Sequence, residues 1–329
     1  MSQAVSTTAS FAGFIDLAAE KVGGRALSAS DEFFAEKENL LKEGRGVFIA
    51  DKYTDHGKWM DGWETRRKRV PGHDWCIIQL GLAGVIHGVD IDTNHFLGNN
   101  PAFASIEAAT SADGPWTEIL TRSPLNPGAQ NLFAIGSRQQ WTHLRLNIYP
   151  DGGVARFRVY GDVQKDWSRI KPDEIVDLVA LANGGKACAC SDMFFSSMHN
   201  LIMPHRAANM GDGWETKRRR GPGFDWVIVK LGHPGNINQI EVDTNHFKGN
   251  FPDTCSIEGC FAPGAAIDLL TWNQQTWTEL LPKSKLQASH QHFFAKELVK
   301  HGPFTHVKLN IYPDGGVSRL RVLGTIHVG

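Results

Sequence analysis

The chain contains two copies of one module, and this internal duplication limits its possible folds more than any other feature. The stretch DGWETRRKRVPGHDW begins at Asp61 and returns as DGWETKRRRGPGFDW at Asp212. The motifs DTNHF-x-GN-x-P and NIYPDGGV-x-R follow in the same order in both copies, and the offset drifts from 151 to 163 positions. A period of this length is too long for a solenoid repeat. Each copy is therefore predicted to be a domain, with boundaries at 1–165 and 166–329.

Within each copy, apolar and polar residues alternate with a period of two, which is typical of half-buried antiparallel strands. In THLRLNIY, for example, Leu144, Leu146 and Ile148 share one face. Clusters of Gly, Pro, Asn and Asp separate such segments. Many strands with frequent turns predict an all-β fold, a β-sandwich or jelly roll in each copy. Helix is expected only in short pieces, such as 15–21 and its copy 176–182.

The polar sides of these strands carry charge in both copies. One interpretation is a solvated sheet face with cross-strand ion pairs. The other is a packing surface between copies or subunits, where buried charges have to be paired. The charged positions are Asp90, Asp92, Glu107, Arg145, Arg156 and Arg158, and in the second copy Glu241, Asp243, Glu258, Lys308, Arg319 and Arg321.

Composition argues against several classes of protein. The 329 residues include 34 Lys and Arg and 35 Asp and Glu, a net charge of −1, whereas a nucleic-acid-binding domain is usually clearly basic. The basic runs 66–69 and 217–220 are therefore local features. Five cysteines, with no C-x-x-C and no shared positions, predict reduced thiols and a cytoplasmic protein. No apolar run is long enough to span a membrane, so no membrane partner is expected.

Three loop motifs recur with little change, and turn formation explains only their Gly, Pro and Asp residues. The other repeated side chains supply candidate acid–base groups and groups that bind a carboxylate or an amide. The candidate catalytic residues are Glu64, His95 and Glu107, with their copies Glu215, His246 and Glu258. The candidate substrate-binding residues are Arg66, Arg67, Asn94 and Arg156, with Arg218, Asn245 and Arg319.

A metal site has weaker support in the sequence. Asp90, Asp92 and His95 include ligand types that Mn²⁺ accepts. However, Asp90 becomes Glu241 in the second copy, and no second histidine lies at ligand spacing. Serine-hydrolase, P-loop and zinc-protease motifs are absent as well. No cofactor is therefore predicted, and Mn²⁺ is kept only as an alternative.

The motifs DGWETRRKR, DTNHFLGNNP, SIE and NIYPDGG, in this order and present twice, resemble the allantoicase family from about Ile15 to Gly324. The resemblance implies two tandem jelly-roll β-sandwich domains of the galactose-binding-like type. It also implies hydrolysis of allantoate to ureidoglycolate and urea in purine breakdown, and a homo-oligomer, a trimer or hexamer. It assigns no catalytic residue, so the candidates remain those taken from the repeated loops.

The repeated side chains suit the chemistry of allantoate, which carries a carboxylate and two ureido arms on one carbon. An arginine can bind the carboxylate through two hydrogen bonds, an acid can protonate the departing urea, and a base can activate water. Which copy carries the working site stays open at this level. The alternative function is a non-catalytic, ligand-binding tandem protein of galactose-binding-like type, because a fold does not determine a function.

Overall fold

The computed structural model divides into two units, Met1–Gln164 and Lys165–Gly329. It describes residue 11 and the ranges 13–264 and 276–328. Both units consist of β-strands and short 3-10 helices, so the prediction of an all-β fold is confirmed. Among the described residues, no helix is long and apolar enough to cross a membrane. All five cysteines carry free thiols.

The first unit is built on one long strand and the strands that pair with it. Its short 3-10 helices are Glu20–Val22 and Lys37–Leu41. Its strands are β1 (Ile15–Asp16), β2 (Arg25–Ala29), β3 (Tyr53–Thr54), β4 (Gly57–Lys58), β5 (Trp63–Glu64), β6 (Asp74–Asp92), β7 (Phe103–Ala109), β8 (Thr117–Pro124), β9 (Gln130–Ala134), β10 (Gln140–Tyr149), β11 (Gly153–Val154) and β12 (Arg156–Val163).

The second unit repeats this arrangement without the counterparts of β3 and β4. Its 3-10 helices are Trp167–Arg169, Leu181–Asn183, Met198–Ile202 and Met210–Asp212. Its strands are β13 (Val176–Asp177), β14 (Lys186–Cys190), β15 (Trp214–Glu215), β16 (Asp225–Asp243), β17 (Thr254–Cys260), β18 (Thr278–Lys285), β19 (Gln291–Phe294), β20 (Phe304–Tyr312), β21 (Gly316–Val317) and β22 (Arg319–Ile326).

Strand β6, which is 19 residues long, belongs to both layers of the first unit. Its first half pairs with β2 and β10, and β10 continues to β7 and β8; these strands form the first layer. Its second half pairs with β9 and β12, and β12 continues to β1; these strands form the second layer. Apolar side chains of both layers, among them Ile78 and Leu146 from the first and Ile91 and Phe157 from the second, form one buried core. Each unit is thus a two-layered β-sandwich whose layers share a strand.

A β-bulge at His87 sets which side chains of β6 face the core. On the neighbouring strand β12, Gly161 pairs with Ile86 and Tyr160 pairs with Gly88, so His87 has no partner there. Because the side-chain period of a strand is two, skipping one residue exchanges the faces of everything that follows. Beyond the bulge, Val89 and Ile91 face the core, and Asp90 and Asp92 therefore face outward. Asn238 is skipped in the same way in β16.

The expectation of short helices over 15–21 and 176–182 is wrong. Each segment begins with a two-residue strand, β1 or β13, and only then forms a 3-10 turn, at Glu20–Val22 or Leu181–Asn183. The reason lies in Asp16, whose carboxylate accepts hydrogen bonds from the backbone N–H groups of Ala18 and Val159. These bonds tie the segment to β12 as an edge strand and compete with helix formation.

The two glycines of NIYPDGG bring the motif loops together. Gly152 has a φ of 136°, which favours glycine over any residue with a side chain. Gly153 lies directly against the ring of Phe96 from the DTNHF motif, where a Cβ atom would overlap that ring. Gly316 and Phe247 repeat this contact in the second unit. This part of the two motifs is therefore explained by packing.

We expect Gly153→Ala to destabilise the protein by roughly 1–3 kcal/mol, because the added methyl group overpacks a closed contact with Phe96. Gly98→Ala is the matched control, since nothing lies within 4 Å of the Cβ position there. Urea unfolding followed by tryptophan fluorescence measures both. Equal unfolding midpoints for the two variants would contradict the packing explanation.

Candidate functional site

A pocket of about 470 Å³ lies in the first unit, on the outer face of the second layer. The bulge at His87 turns the following side chains of β6 toward this face, and the floor of the pocket is formed by outward side chains of four adjacent strands. In strand order these are Gln130 of β9, Asp90 and Asp92 of β6, Arg156, Arg158 and Tyr160 of β12, and Asp16 of β1. The pocket has the volume of a small-molecule site, and its floor is charged rather than apolar.

Residues 43–45 form one edge of the pocket, next to this floor. Arg45 makes two hydrogen bonds to Asp92, from Nε to Oδ2 and from Nη2 to Oδ1, each 2.8 Å long. Arg158 donates Nη2 to the backbone carbonyls of Lys42 and Gly44, the latter at 2.6 Å. The carboxylate of Asp92 is buried, whereas half of the Arg45 side chain is exposed. The ion pair therefore fixes Arg45 at the rim of the pocket and leaves part of its guanidinium open to solvent.

Asn94 and His95 hold the same segment by its backbone. Asn94 Nδ2 donates to the carbonyl oxygen of Gly46 at 2.8 Å, and His95 Nε2 lies 3.1 Å from that oxygen. His95 has a φ of 68°, an uncommon conformation for a residue with a side chain. Neither side chain lines the pocket. The predicted pair thus positions the loop that carries Arg45.

Of the catalytic and substrate-binding residues predicted for the first copy, only Arg156 lines the pocket, and it is 4% exposed. It donates Nη2 to Asp61 Oδ2 at 2.8 Å and Nη1 to the carbonyls of Asp61 and Ala155 at 3.1 and 2.7 Å. Burial by itself would raise the pKa of Asp61, but the hydrogen bonds from Arg156 and from the Val47 N–H outweigh it and lower that pKa.

Two buried polar atoms of the pocket residues have no hydrogen-bond partner. They are Oδ1 of Asp90, a residue 1% exposed, and Nε of Arg156. The other oxygen of Asp90 accepts a hydrogen bond from Gln130 Nε2 at 2.7 Å. An unpaired buried polar group costs roughly 1–3 kcal/mol, so such groups are rare unless they serve a purpose. One acceptor and one donor at the pocket floor are therefore left without a partner in the protein.

The pocket also shifts the pKa of its acids. Burial raises the pKa of Asp90 to about 6; the charge of Asp92 adds to this effect, whereas the hydrogen bond from Gln130, the backbone N–H of Asn131 and the charge of Arg45 oppose it. Burial likewise raises the pKa of Asp16, although Arg158 opposes it. Carboxyl groups that titrate close to neutral pH are suited to proton transfer. Asp90 combines this property with an unpaired oxygen.

Glu107 lies on the opposite side of the unit from the pocket. It belongs to β7, in the first layer, and accepts hydrogen bonds from Arg145 Nε at 2.7 Å and Asn147 Nδ2 at 2.9 Å. Burial alone would raise its pKa, but these partners lower it. Because the inner sides of both layers meet in one core, the outer sides point away from each other. The charged positions of the sequence therefore form two separate faces, and only one of them lines the pocket.

The remaining candidates of the first copy lie in the DGWE loop, outside the pocket lining. Glu64 accepts a hydrogen bond from Asn99 Nδ2 at 2.7 Å, and burial raises its pKa. Arg66 pairs with Asp31. Arg67 is exposed. The structure therefore does not bring the predicted carboxylates and His95 together around one substrate position.

The second unit repeats most of the ion pairs and loop contacts described for the first. Arg206 binds Asp243 at 2.9 and 3.1 Å, and Arg319 binds Asp212. The carbonyl of Ala207 is bound by Asn245 at 3.2 Å and by His246 at 2.8 Å. The other predicted residues of this copy are also placed as in the first: Glu258 pairs with Lys308, Glu215 binds Asn250 and Arg218 is exposed.

Two of the three side chains considered for Mn²⁺, Asp92 and His95, are engaged in other bonds. Both oxygens of Asp92 bind Arg45, and His95 Nε2 lies against a backbone carbonyl. Within the described ranges, no group of three His, Cys, Asp or Glu side chains is arranged to hold a metal ion. The residues present at this position therefore do not fit a metal.

Sequence reasoning did not name Asp16, Arg45, Gln130 or Tyr160. The first three are repeated at matched positions, as Asp177, Arg206 and Gln291, so a comparison of the two copies could have found them. Tyr160 is Leu323 in the second copy and gives no such signal. These residues come from segments far apart in the chain, and strand pairing brings them together.

Comparison with known proteins gives one consistent result. The family model described as the allantoicase repeat matches residues 15–164 and 176–327. A probable allantoicase of Burkholderia mallei is 51% identical over 319 residues, which cover 95% of each chain. A probable allantoicase of Pseudomonas aeruginosa is 50% identical over 96% of this chain and 97% of its own length.

Solved structures agree with these matches. An allantoicase from Saccharomyces cerevisiae is 40% identical, with a TM-score of 0.77 over 94% of this chain and 92% of that one. A second allantoicase structure is 39% identical, with a TM-score of 0.79 over 94% and 93%.

We expect Asp90→Asn to raise the free energy of unfolding at pH 8 by on the order of 2 kcal/mol. The folded-state pKa of Asp90 is raised to about 6, so the stability it allows at low pH is lost as the pH rises through that value. The gain should shrink between pH 6 and pH 4, where Asp90 becomes protonated in the folded wild type. Urea unfolding of both proteins at pH 5 and pH 8 measures the difference.

Asp51→Asn, at an exposed aspartate, is the control and should change neither value by more than about 0.5 kcal/mol. A wild type more stable than Asp90→Asn at pH 8 would contradict the raised pKa.

Proposed function

The chain belongs to the allantoicase family and is an enzyme that hydrolyses allantoate to ureidoglycolate and urea, and we propose that this reaction takes place in the pocket of the first unit. Family membership removes the non-catalytic alternative. The observation that carries the proposal is the pair of unpaired buried atoms, Asp90 Oδ1 and Arg156 Nε.

A ureido arm supplies the partners that these two atoms lack. It presents N–H donors beside a carbonyl acceptor, while Asp90 offers an acceptor and Arg156 a donor. Binding would therefore satisfy both groups and recover the free energy that their burial costs. A site built to hydrogen-bond a ureido group also rejects analogues without one, because the protein groups would then stay unpaired.

The substrate carboxylate is assigned to Arg45. Its guanidinium uses Nε and Nη2 for Asp92, and the half-exposed remainder faces solvent at the rim of the pocket. The lining contains three arginines but also four acids, Asp16, Glu43, Asp90 and Asp92, so the attraction for the carboxylate is assigned to Arg45 itself and not to the net charge of the pocket. Asp92 keeps Arg45 in place, so the two residues act as one unit.

Asp90 is assigned the proton transfers. Its carboxylate takes a proton from the attacking water, whose oxygen forms a bond to the central carbon. The C–N bond to one arm breaks, and the proton passes from Asp90 to the departing nitrogen, which leaves as urea. Arg156 Nε–H stabilises the charge that collects on the carbonyl of that arm. The carboxylate is restored at the end, and the water has supplied the hydroxyl group of ureidoglycolate and one hydrogen of urea.

We also propose an assembly and a location for the protein. A homo-oligomer, a trimer or hexamer, is supported by the exposed side chains of Phe194 and Phe195, whose rings contact each other on the second unit, because exposed apolar patches often mark protein–protein contacts. Light scattering of the purified protein would show a single-chain mass if this is wrong. A cytoplasmic location is supported by the five free thiols, and a disulfide found in the native protein would argue against it.

We expect Asp90→Asn to lower kcat/KM for allantoate by a factor of at least about 100, because the amide cannot accept the proton. Urea and ureidoglycolate are measured in parallel, with and without EDTA. Glu107→Gln is the comparison, since its ion pair lies on the other face, and it should lose less than about tenfold. The reverse result, a large loss at Glu107 and none at Asp90, would move the site out of the pocket.

We expect kcat/KM to rise about tenfold per pH unit below pH 6 and to level off above it, because ionised Asp90 is the active form and its pKa is about 6. The other charged or titratable groups that line the pocket with Asp90 are Asp16, Glu43, Arg45, Asp92, Arg156, Arg158 and Tyr160. Bound substrate adds a negative charge, so the same limb in kcat should move to higher pH. A residual activity of Asp90→Asn that keeps the limb near pH 6 would assign it to another group.

A further inference from the structure

We infer that the duplicated chain has a single active site, because the second unit keeps the framework of the pocket but not its capacity to bind a ureido group. The inference rests on the site proposed for the first unit. It compares the pocket residues of the first unit with the residues at the matched positions of the second. The strongest observation is that Arg319 Nε has a hydrogen-bond partner, whereas the matched Arg156 Nε has none.

Arg319 corresponds to Arg156, and its Nε is already occupied. It donates to the backbone carbonyl of His205 at 2.8 Å, whereas Arg156 Nε has no partner. The other nitrogens of Arg319 bind Asp212 and the carbonyl of Ser318. A ligand carbonyl would have to displace a backbone acceptor to reach this arginine. The donor that the first unit leaves free is therefore used for folding in the second.

The acceptor side differs as well. Glu241 replaces Asp90, which places its carboxylate one methylene farther from the strand, and it accepts a hydrogen bond from Gln291 at 2.8 Å. Glu241 is partly exposed to solvent, whereas Asp90 is buried, so the buried acceptor of the first unit is not reproduced at this position. Leu323 replaces Tyr160, which removes a hydroxyl group from the floor. The two unpaired atoms that characterise the first pocket thus have no equivalent here.

The border of the pocket also distinguishes the units. Pro204 and His205 replace Glu43 and Gly44, so side chains larger than glycine border the second face. The segment between this border and the DGWE loop is ten residues longer in the first unit, since Arg45 and Arg206 are 161 positions apart but Asp61 and Asp212 only 151. The extra residues include the hairpin β3–β4. Both differences are confined to the surroundings of the pocket.

The retained residues of the second unit are accounted for by folding. Arg206 binds Asp243, and Asn245 and His246 hold the carbonyl of Ala207, which fixes the loop against the sheet. Their repetition therefore reflects a shared folding requirement and does not signal a second centre. The positions that distinguish the two units are those that differ, above all Asp90 against Glu241 and Tyr160 against Leu323.

The test compares matched variants of the full chain. In a chain with two equivalent sites, inactivating either one would leave about half of the activity. With one site, Asp90→Asn should leave about 1% or less of kcat, and Glu241→Gln should keep about 90% or more of it, clearly above the half expected for two sites. Far-UV circular dichroism and urea unfolding confirm that both variants fold, and Gln291→Ala serves as a second variant of the same face.

Binding gives an independent count. N-carbamoylglycine carries the carboxylate and one ureido arm of allantoate but has no second arm to release. Calorimetry should give one site per chain, a similar affinity for Glu241→Gln and at least about tenfold weaker binding for Asp90→Asn. Two sites per chain, or half of the activity left in Asp90→Asn, would overturn the inference while keeping the pocket. Full activity in both variants would instead overturn the proposed pocket itself.

Discussion

The skipped residue at His87 in the long strand β6 is the constraint on which the pocket depends. Ahead of it, residues with even numbers face the core, and beyond it the residues with odd numbers do. Without the bulge, Asp90 and Asp92 would point into an apolar core, where an unpaired carboxylate is very costly. With it, Val89 and Ile91 fill the core, and both aspartates reach the outer face. One backbone irregularity thus serves packing and chemistry together, as bulges near functional sites often do.

The charges brought to this face are largely neutralised in pairs. Asp92 is bound by Arg45, and Arg156 is bound by Asp61. Such pairs contribute little net stability when they are buried, because desolvation offsets most of their attraction. Their effect is to fix geometry, since each joins a loop to the sheet. Asp90 is the exception, with one oxygen unpaired and a raised pKa, and it is the group that can change its protonation state at little cost.

Duplication made the sequence easy to divide and its chemistry hard to locate. Residues repeated in both copies include those that any such unit needs, such as Gly153 against Phe96 and Asn94 against Gly46. His95 is repeated as well, and the structure gives it a positioning contact to the same carbonyl. Tyr160 lines the pocket but is not repeated, since Leu323 takes its place in the second copy. Repetition within one chain therefore identifies folding requirements at least as readily as active-site residues.

The sequence by itself determined the two copies. It also determined the all-β fold and which side chains face outward, because period-two alternation depends only on neighbours in the chain. Arg156, a candidate from the sequence, lines the pocket. It could not separate Glu107 from Asp90, since alternation tells which side of a strand a residue occupies but not which layer the strand joins. Only the tertiary structure decided that these carboxylates lie on opposite faces, through strand pairings between residues far apart in sequence. It alone also decided which buried atoms stay unpaired, since that depends on every neighbour in space.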